Sequence, residues 1–187
     1  MSISTGVVAK RSAVLIAAAL LMGGSALTQA AQEILSIQIS GVPGDAAFAA
    51  ANSLPPNSVE VLSASLGLST AVNISASNGE TVSKPNFADL AIFKKFNNSS
   101  PALAMAEMTG RLIPQAFLTF WTGAPGSFTK YYTVVLTNVY ITSLGIADSA
   151  GSDGATEAVT FAYAQIRFTN NLTGASECFN RLTGSIC

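Results

Sequence analysis

From residue 34 to residue 39 the chain alternates, with Leu35, Ile37 and Ile39 on one side and Ile34, Ser36 and Gln38 on the other. A period of two sends successive side chains to opposite faces, so this segment predicts a strand with one dry and one wet face. Gly41, Val42, Pro43 and Gly44 end it with turn chemistry, and a polar, proline-bearing stretch over residues 52–57 leads into a second strand over residues 58–67. Residues 69–83 read as strand and then loop around Asn78 and Gly79. Phe87, Leu90, Ile92 and Phe96 give apolar side chains to the next strand, and the parity change between Phe87 and Leu90 predicts a bulge or bend near Asp89. A short helix follows over residues 101–109. Ser99 or Ser100 is its cap, Pro101 suits its first turn, Gly110 takes the left-handed exit, and Leu103, Ala106 and one of Met105 or Met108 face inward. Residues 113–122, 130–144 and 155–170 are rich in aromatic and β-branched residues and predict three more strands, the last two as an antiparallel hairpin. Along the last of them Val159, Phe161 and Tyr163 share one face, while Thr160, Ala162 and Ala164 share the other and permit close approach by a second sheet or subunit. This order predicts a mainly β fold, a two-sheet antiparallel β-barrel with one short flanking α-helix.

The N-terminus follows different rules. Lys10 and Arg11 precede an apolar run over residues 13–22, and Thr28, Gln29 and Ala30 place small residues where a signal peptidase cuts, so a secretory leader ending after Ala30 is expected. The run is about half of the roughly 20 residues that a spanning helix requires, which argues against a permanent membrane anchor. The chain thus divides into a leader (1–30), a barrel domain (31–170) and a tail (171–187), with a secreted or periplasmic destination. Two of the nine basic residues lie in the leader, leaving seven against ten acidic ones, a formal charge of −3. The only adjacent basic pair beyond the leader, Lys94 and Lys95, is read as a solvated strand end, so no nucleic-acid partner is expected. Charged residues make up 10% of the chain and hydrophobic ones 49%, and a surface so poor in charge invites association.

The chemistry is sparse. There is no histidine, which excludes Ser-His-Asp and Cys-His mechanisms, and no nucleotide-binding or zinc-protease motif is present. No cofactor, metal or catalytic residue is therefore assigned. Carboxylate pairs such as Asp148 with Asp153, or Glu60 with Asp89, keep a glycoside-type hydrolase in view; Asp148, Asp153 and Asn138 are the residues for a hard cation, but the segment from Asp148 to Gly154 lacks the ligand density of a calcium loop and reads first as a solvated loop. Trp121, Tyr131, Tyr132 and Tyr140 are either a platform for sugar or peptide or ordinary core and strand partners. Cys178 and Cys187 lie beyond the last expected strand. An intramolecular disulfide across this nine-residue separation is the first expectation, free thiols or an intermolecular bridge the alternatives.

Several segments stand in the order of a known family: Gly41 to Asp45; Val59 to Gly67; the run from Lys84 through Phe93, Lys94, Asn97, Ser100 and Pro101 to Leu103; Ile113, Pro114, Gln115 and Ala116; Tyr131 and Tyr132, then Asn138 and Val139; and Glu157 to Phe161. Together, from about Ile34 to Phe168, they resemble the Hcp family, the tube proteins of type VI secretion. The resemblance implies hexameric rings that stack into a tube, with a lumen able to carry small proteins, and a partner that is another copy of the chain. Three departures stand out: the leader, Ser65, Leu66 and Gly67 where the family has an aromatic Ser-Trp-Gly type segment, and the tail over residues 171–187. For assembly the sequence points to sheet edges and loops, including Lys84, Asp89, Asp148, Asp153 and Glu157. The contrasting expectation is a monomeric exported module that binds sugar, peptide or a surface.

Overall fold

The computed structural model describes residues 31–75, 79–151 and 153–187; the expected leader and its cleavage point after Ala30 lie outside them. In chain order the elements are β1 (Gln32–Ile39), α1 (Ala46–Asn52), β2 (Val59–Val61), β3 (Ser63–Ser65), β4 (Leu68–Ser69), β5 (Val72–Ser75), β6 (Gly79–Val82), β7 (Asn86–Phe87), β8 (Leu90–Lys95), α2 (Ser100–Met108), β9 (Ile113–Ala124), β10 (Ser127–Ala147), β11 (Thr156–Asn170), β12 (Ser176–Asn180) and β13 (Ser185–Ile186). Among the described residues every strand pairing is antiparallel. The main sheet runs β13-β12-β11-β10-β9-β1-β2, and β8 pairs with both β11 and β3. Because β2 and β3 are one extended run broken only at Leu62, whose amide donates to Phe93 O at 2.8 Å, the circuit closes into a barrel.

The alternation read from β1 is the one that folds: Ile37 and Ile39 are buried, facing Val59, Leu118, Leu136, Val139, Val159 and Phe161 in one core. Ser36 is also buried, because Trp121 Nε1 donates to its hydroxyl at 2.9 Å across the β1–β9 pair. At Gly44 a Cβ would overlap the main chain of Asn57, so that turn requires glycine. The bend expected near Asp89 is present as the break between β7 and β8.

Several local expectations differ from the structure. A second helix, α1, fills residues left unassigned between the first turn and the proline-bearing stretch. Asp45 Oδ1 caps it by accepting from Ala47 and Phe48 amides at 3.1 Å, and an alanine-rich run needs little more than that start. In α2 neither serine hydroxyl caps the helix; Asn97 Oδ1 instead accepts from the Ser99 amide and hydroxyl, at 3.0 and 2.7 Å. Leu103 and Ala106 are buried as expected, whereas Met105 and Met108 are both exposed. Residues 171–187 form not a loose tail but a hairpin, β12–β13, laid along β11, so Cys178 lies within a strand.

Candidate functional site

The long strands change direction at one corner. Val134 and Leu136 point inward on β10, then Val139 and Ile141 do, so the inward parity flips at Asn138, which has φ 52°. Asparagine tolerates this left-handed conformation better than branched residues. On β11 the same flip falls between Tyr163 and Ile166, the two strands turning together. Beyond the corner, β3, β8, β11 and β10 form a four-strand wall whose register is explicit. Ala64, Ile92, Val159 and Leu144 form one cross-strand row and face the core. The rows on either side face outward: Ser63, Phe93, Ala158 and Gly145, then Ser65, Ala91, Thr160 and Ser143. None of these eight outward positions carries a charge. Phe93, 38% exposed, is the one large side chain among small and hydroxylated neighbours.

Two of the three charged side chains on these strands beyond the corner, Lys94 and Glu157, turn inward, while Lys95 at the end of β8 is exposed. Lys94 follows Leu90 and Ile92 in the inward parity of β8 and is fully buried, where it pairs with fully buried Glu157 of β11. The Lys94 ammonium also donates to Lys95 O at 2.9 Å, Asn97 Oδ1 at 3.0 Å and Ser100 Oγ at 3.2 Å, and Ser100 Oγ donates to Glu157 Oε1 at 2.8 Å. Glu157 Oε2 has no hydrogen-bond partner. Burial holds the Lys94 pKa below 10.5, opposed by the hydrogen bond and charge of Glu157 and, more weakly, by Asp45. This corrects two expectations. Lys94 is not solvated, and Glu157 is not a surface contact, because strand parity sends both inward. Phe96, expected to serve the strand, lies past its end and is exposed.

The other residues singled out by the sequence are dispersed. Lys84 is exposed beside a cleft of about 300 Å³ that is also lined by Phe87, Phe179 and Arg181. Asp89 Oδ2 accepts from Thr142 Oγ1 at 3.1 Å, and its Oδ1 lies 3.9 Å from Arg181. Asp148, whose Oδ1 accepts from the Ser149 amide at 2.8 Å, and Asp153 are exposed in the β10–β11 loop. Asn138 is at the corner, nine residues before the end of β10 at Ala147, so the three proposed cation ligands do not converge; no acidic or cysteine cluster suited to a metal occurs among the described residues. In the β3–β8 ladder Ser63 opposes Phe93 and Ser65 opposes Ala91, which places Glu60 and Asp89 toward opposite ends. The four aromatics do not make a platform either: Trp121 bonds to Ser36, Tyr131 and Tyr132 pack on Phe120, and Tyr140 is exposed on the outside.

Sequence reasoning missed Arg181. One edge of β11 is shared by β8, over residues 156–161, and by β12, over residues 165–169. Arg181 fills the seam between them: Nη1 donates to Tyr163 O at 3.0 Å, Nη2 to Phe87 O at 3.1 Å, and the guanidinium lies 4.6 Å from the Tyr163 ring centroid. Burial raises the Tyr163 pKa above 10; Arg181 opposes this and Asp89 adds to it. Nothing short of the hairpin's pairing identifies this arginine from sequence. Cys178 and Cys187 are bonded to each other, with Cα atoms 5.3 Å apart.

A closed antiparallel barrel with side helices, a C-terminal hairpin on its longest pair of strands and an uncharged outer wall defines a class of β-barrel built around surfaces. The profile described as "Type VI secretion system effector, Hcp" matches residues 37–169. The chain belongs to the Hcp family. Among individual proteins, it is 34% identical over 84 residues to Protein hcp1 of Pseudomonas aeruginosa, a match covering 45% of this chain and 52% of that protein, so the chain spans about half the length of this relative. The crystal structure of Hcp1 from Salmonella typhimurium is similar with a TM-score of 0.67 at 18% identity, covering 83% of this chain and 99% of that one. A structure described as a type six secretion system protein gives 0.70 at 21%, covering 83% and 100%. At these identities the likeness is one of fold. No helix among the described residues is long and apolar enough to cross a membrane.

Proposed function

We infer that this protein is a structural subunit that associates with copies of itself, as a ring or tube component of the type VI secretion kind, and that it acts outside the cell that makes it. The observation that carries the reading is the outer wall of β3, β8, β11 and β10, eight register positions without a charge on a chain of the Hcp family. A wall of small side chains lets a second copy come close at little desolvation cost, and closed homo-oligomers are the usual outcome when such a surface is met by a complementary one on the same chain. Six subunits per ring, stacking into a tube and a lumen that carries small proteins complete the reading.

Native mass spectrometry and light scattering of the purified protein test it. Multiples of the subunit mass are expected, with six dominant. Ala158→Glu, which places a carboxylate in the middle of the wall at an exposed position, shifts the population toward single chains while leaving the circular dichroism spectrum unchanged. A single-chain mass at high concentration, with the wall intact, would sink the proposal and favour a monomeric binding module.

A further inference from the structure

Residues 66–75 and 79–88 leave the barrel as an arm. In it β5 pairs with β6 and β4 pairs with β7, and neither pair joins the main sheet. Val72, Ile74 and Val82 on the outer hairpin are exposed, so the arm has little packing of its own, and a two-stranded ribbon is marginal in water unless something holds its base. The base is held at Phe87 and Ala88. The Phe87 ring stacks on Phe179 at 5.1 Å, its carbonyl accepts from Arg181, and the Ala88 carbonyl accepts from Tyr163 OH at 3.1 Å. Two of these three ties come from the C-terminal hairpin.

That hairpin is short where it matters. β12 is secured to β11 by five register pairs, but β13 contributes only two pairs to β12. Arg181 lies in the turn between them, a turn shaped by Asn180 Oδ1, which accepts from the Leu182 and Thr183 amides at 2.9 and 3.2 Å. Past β13 the return strand is fastened by the Cys178–Cys187 bond and by the Cys187 amide donating to Cys178 O at 3.2 Å. Cys178 immediately precedes Phe179, and the disulfide loop contains Arg181. The bond therefore encloses both side chains that grip the arm.

We propose that the Cys178–Cys187 disulfide is a thiol-sensitive lock on the foot of the arm. While it is closed, the turn holds Arg181 and Phe179 against Phe87. When a dithiol reductant opens it, the return strand frays, the turn loses its shape, and the foot formed by residues 66–69 and 86–88 loosens with it. In the reaction the S–S bond breaks, Cys178 Sγ and Cys187 Sγ each gain a proton and an electron, and the reductant closes into its own cyclic disulfide. The lock is local to one chain and operates whether or not the protein forms rings.

Hydrogen exchange followed by mass spectrometry on the full chain, with and without dithiothreitol at one pH, tests this, with the Cys178→Ser, Cys187→Ser double variant as a reagent-free counterpart. Closing a nine-residue loop restricts the open chain enough that exchange over residues 176–187, and over 66–69 and 86–88, is expected to quicken by about tenfold or more on reduction. Amides of β9 and β10 keep their protection and serve as the internal control. Arg181→Gln with the disulfide intact is expected to loosen the foot while residues 176–187 stay protected. The proposal is overturned if reduction quickens the hairpin alone, if it quickens neither segment, or if Arg181→Gln leaves the foot unchanged.

Discussion

Replacing Lys94 by Met keeps the length of the side chain and removes its charge. What remains is Glu157, fully buried, with Ser100 Oγ as its one donor and Oε2 with none. Removing one partner of a buried pair costs about 3–5 kcal/mol because the other charge is left uncompensated. Against a domain stability of about 5–15 kcal/mol this is a large fraction. Glu157→Gln is expected to be milder, about 1–3 kcal/mol, since the Lys94 ammonium keeps three other oxygens, Lys95 O, Asn97 Oδ1 and Ser100 Oγ.

The two variants are separated further by pH. Burial lowers the folded pKa of Lys94, so between that value and 10.5 the unfolded chain holds more protons and stability rises with pH. Glu157 partly counters the lowering, so in Glu157→Gln the window widens toward neutral pH and the rise is steeper. Tyr163, whose raised pKa makes stability fall as pH climbs past 10, contributes equally to both proteins and cancels in the comparison. Urea unfolding at a series of alkaline pH values reads both quantities. Equal pH slopes for wild type and Glu157→Gln, or a Lys94→Met cost below about 1 kcal/mol, would refute the electrostatic account of the pair.

At the corner, Asn138→Val forces a branched residue into φ 52° and is expected to cost about 1–3 kcal/mol, whereas Asn138→Gly stays near wild type; equal denaturation midpoints for the two would show that the turn does not depend on that conformation. Trp121→Phe leaves the buried Ser36 hydroxyl without its indole donor and is expected to cost about 1–2 kcal/mol beyond the lost packing. The protein has one tryptophan, so circular dichroism rather than fluorescence follows the unfolding, and Ser36→Ala combined with Trp121→Phe should recover part of the loss.

Period-two alternation made β1 legible, aromatic and β-branched content did the same for β9, β10 and β11, and the parity break at Asp89 marked the end of β7, because half-buried strands write their faces into the sequence. The family order of motifs brought the fold with it. The inward position of Lys94 was legible in principle, as it continues the Leu90, Ile92 parity, but a lysine next to a second lysine at a strand end is ordinarily solvated, and only its pairing with Glu157, 63 residues away, settles the matter. α1 was hidden because its helix signal is one capping aspartate before a run of alanines with a single phenylalanine, too little amphipathic pattern to register. Residues 171–187 read as a tail because their alternation is short and broken by turn residues; as an added edge on β11 they need little pattern of their own.

The wall and the buried pair are two sides of one arrangement. Of the charged residues on the four wall strands beyond the corner, Lys94 and Glu157 point into the barrel and satisfy each other, leaving Lys95 at the strand end as the outward charge. A barrel that needed only to be soluble would do the reverse, since charge outside is favourable and a well-packed apolar pair inside is often as stable as an ion pair. The inversion makes sense if the outside of this wall is itself an inside, covered by another copy. On that argument stability and assembly separate: Lys94→Met with Glu157→Leu, which replaces the pair by apolar side chains, should recover most of the stability lost in Lys94→Met and leave the subunit mass distribution untouched. Ala158→Glu should do the opposite, changing the mass distribution with little effect on unfolding. A double variant that folds well but no longer associates would show that the buried charges, not the wall, direct the contact.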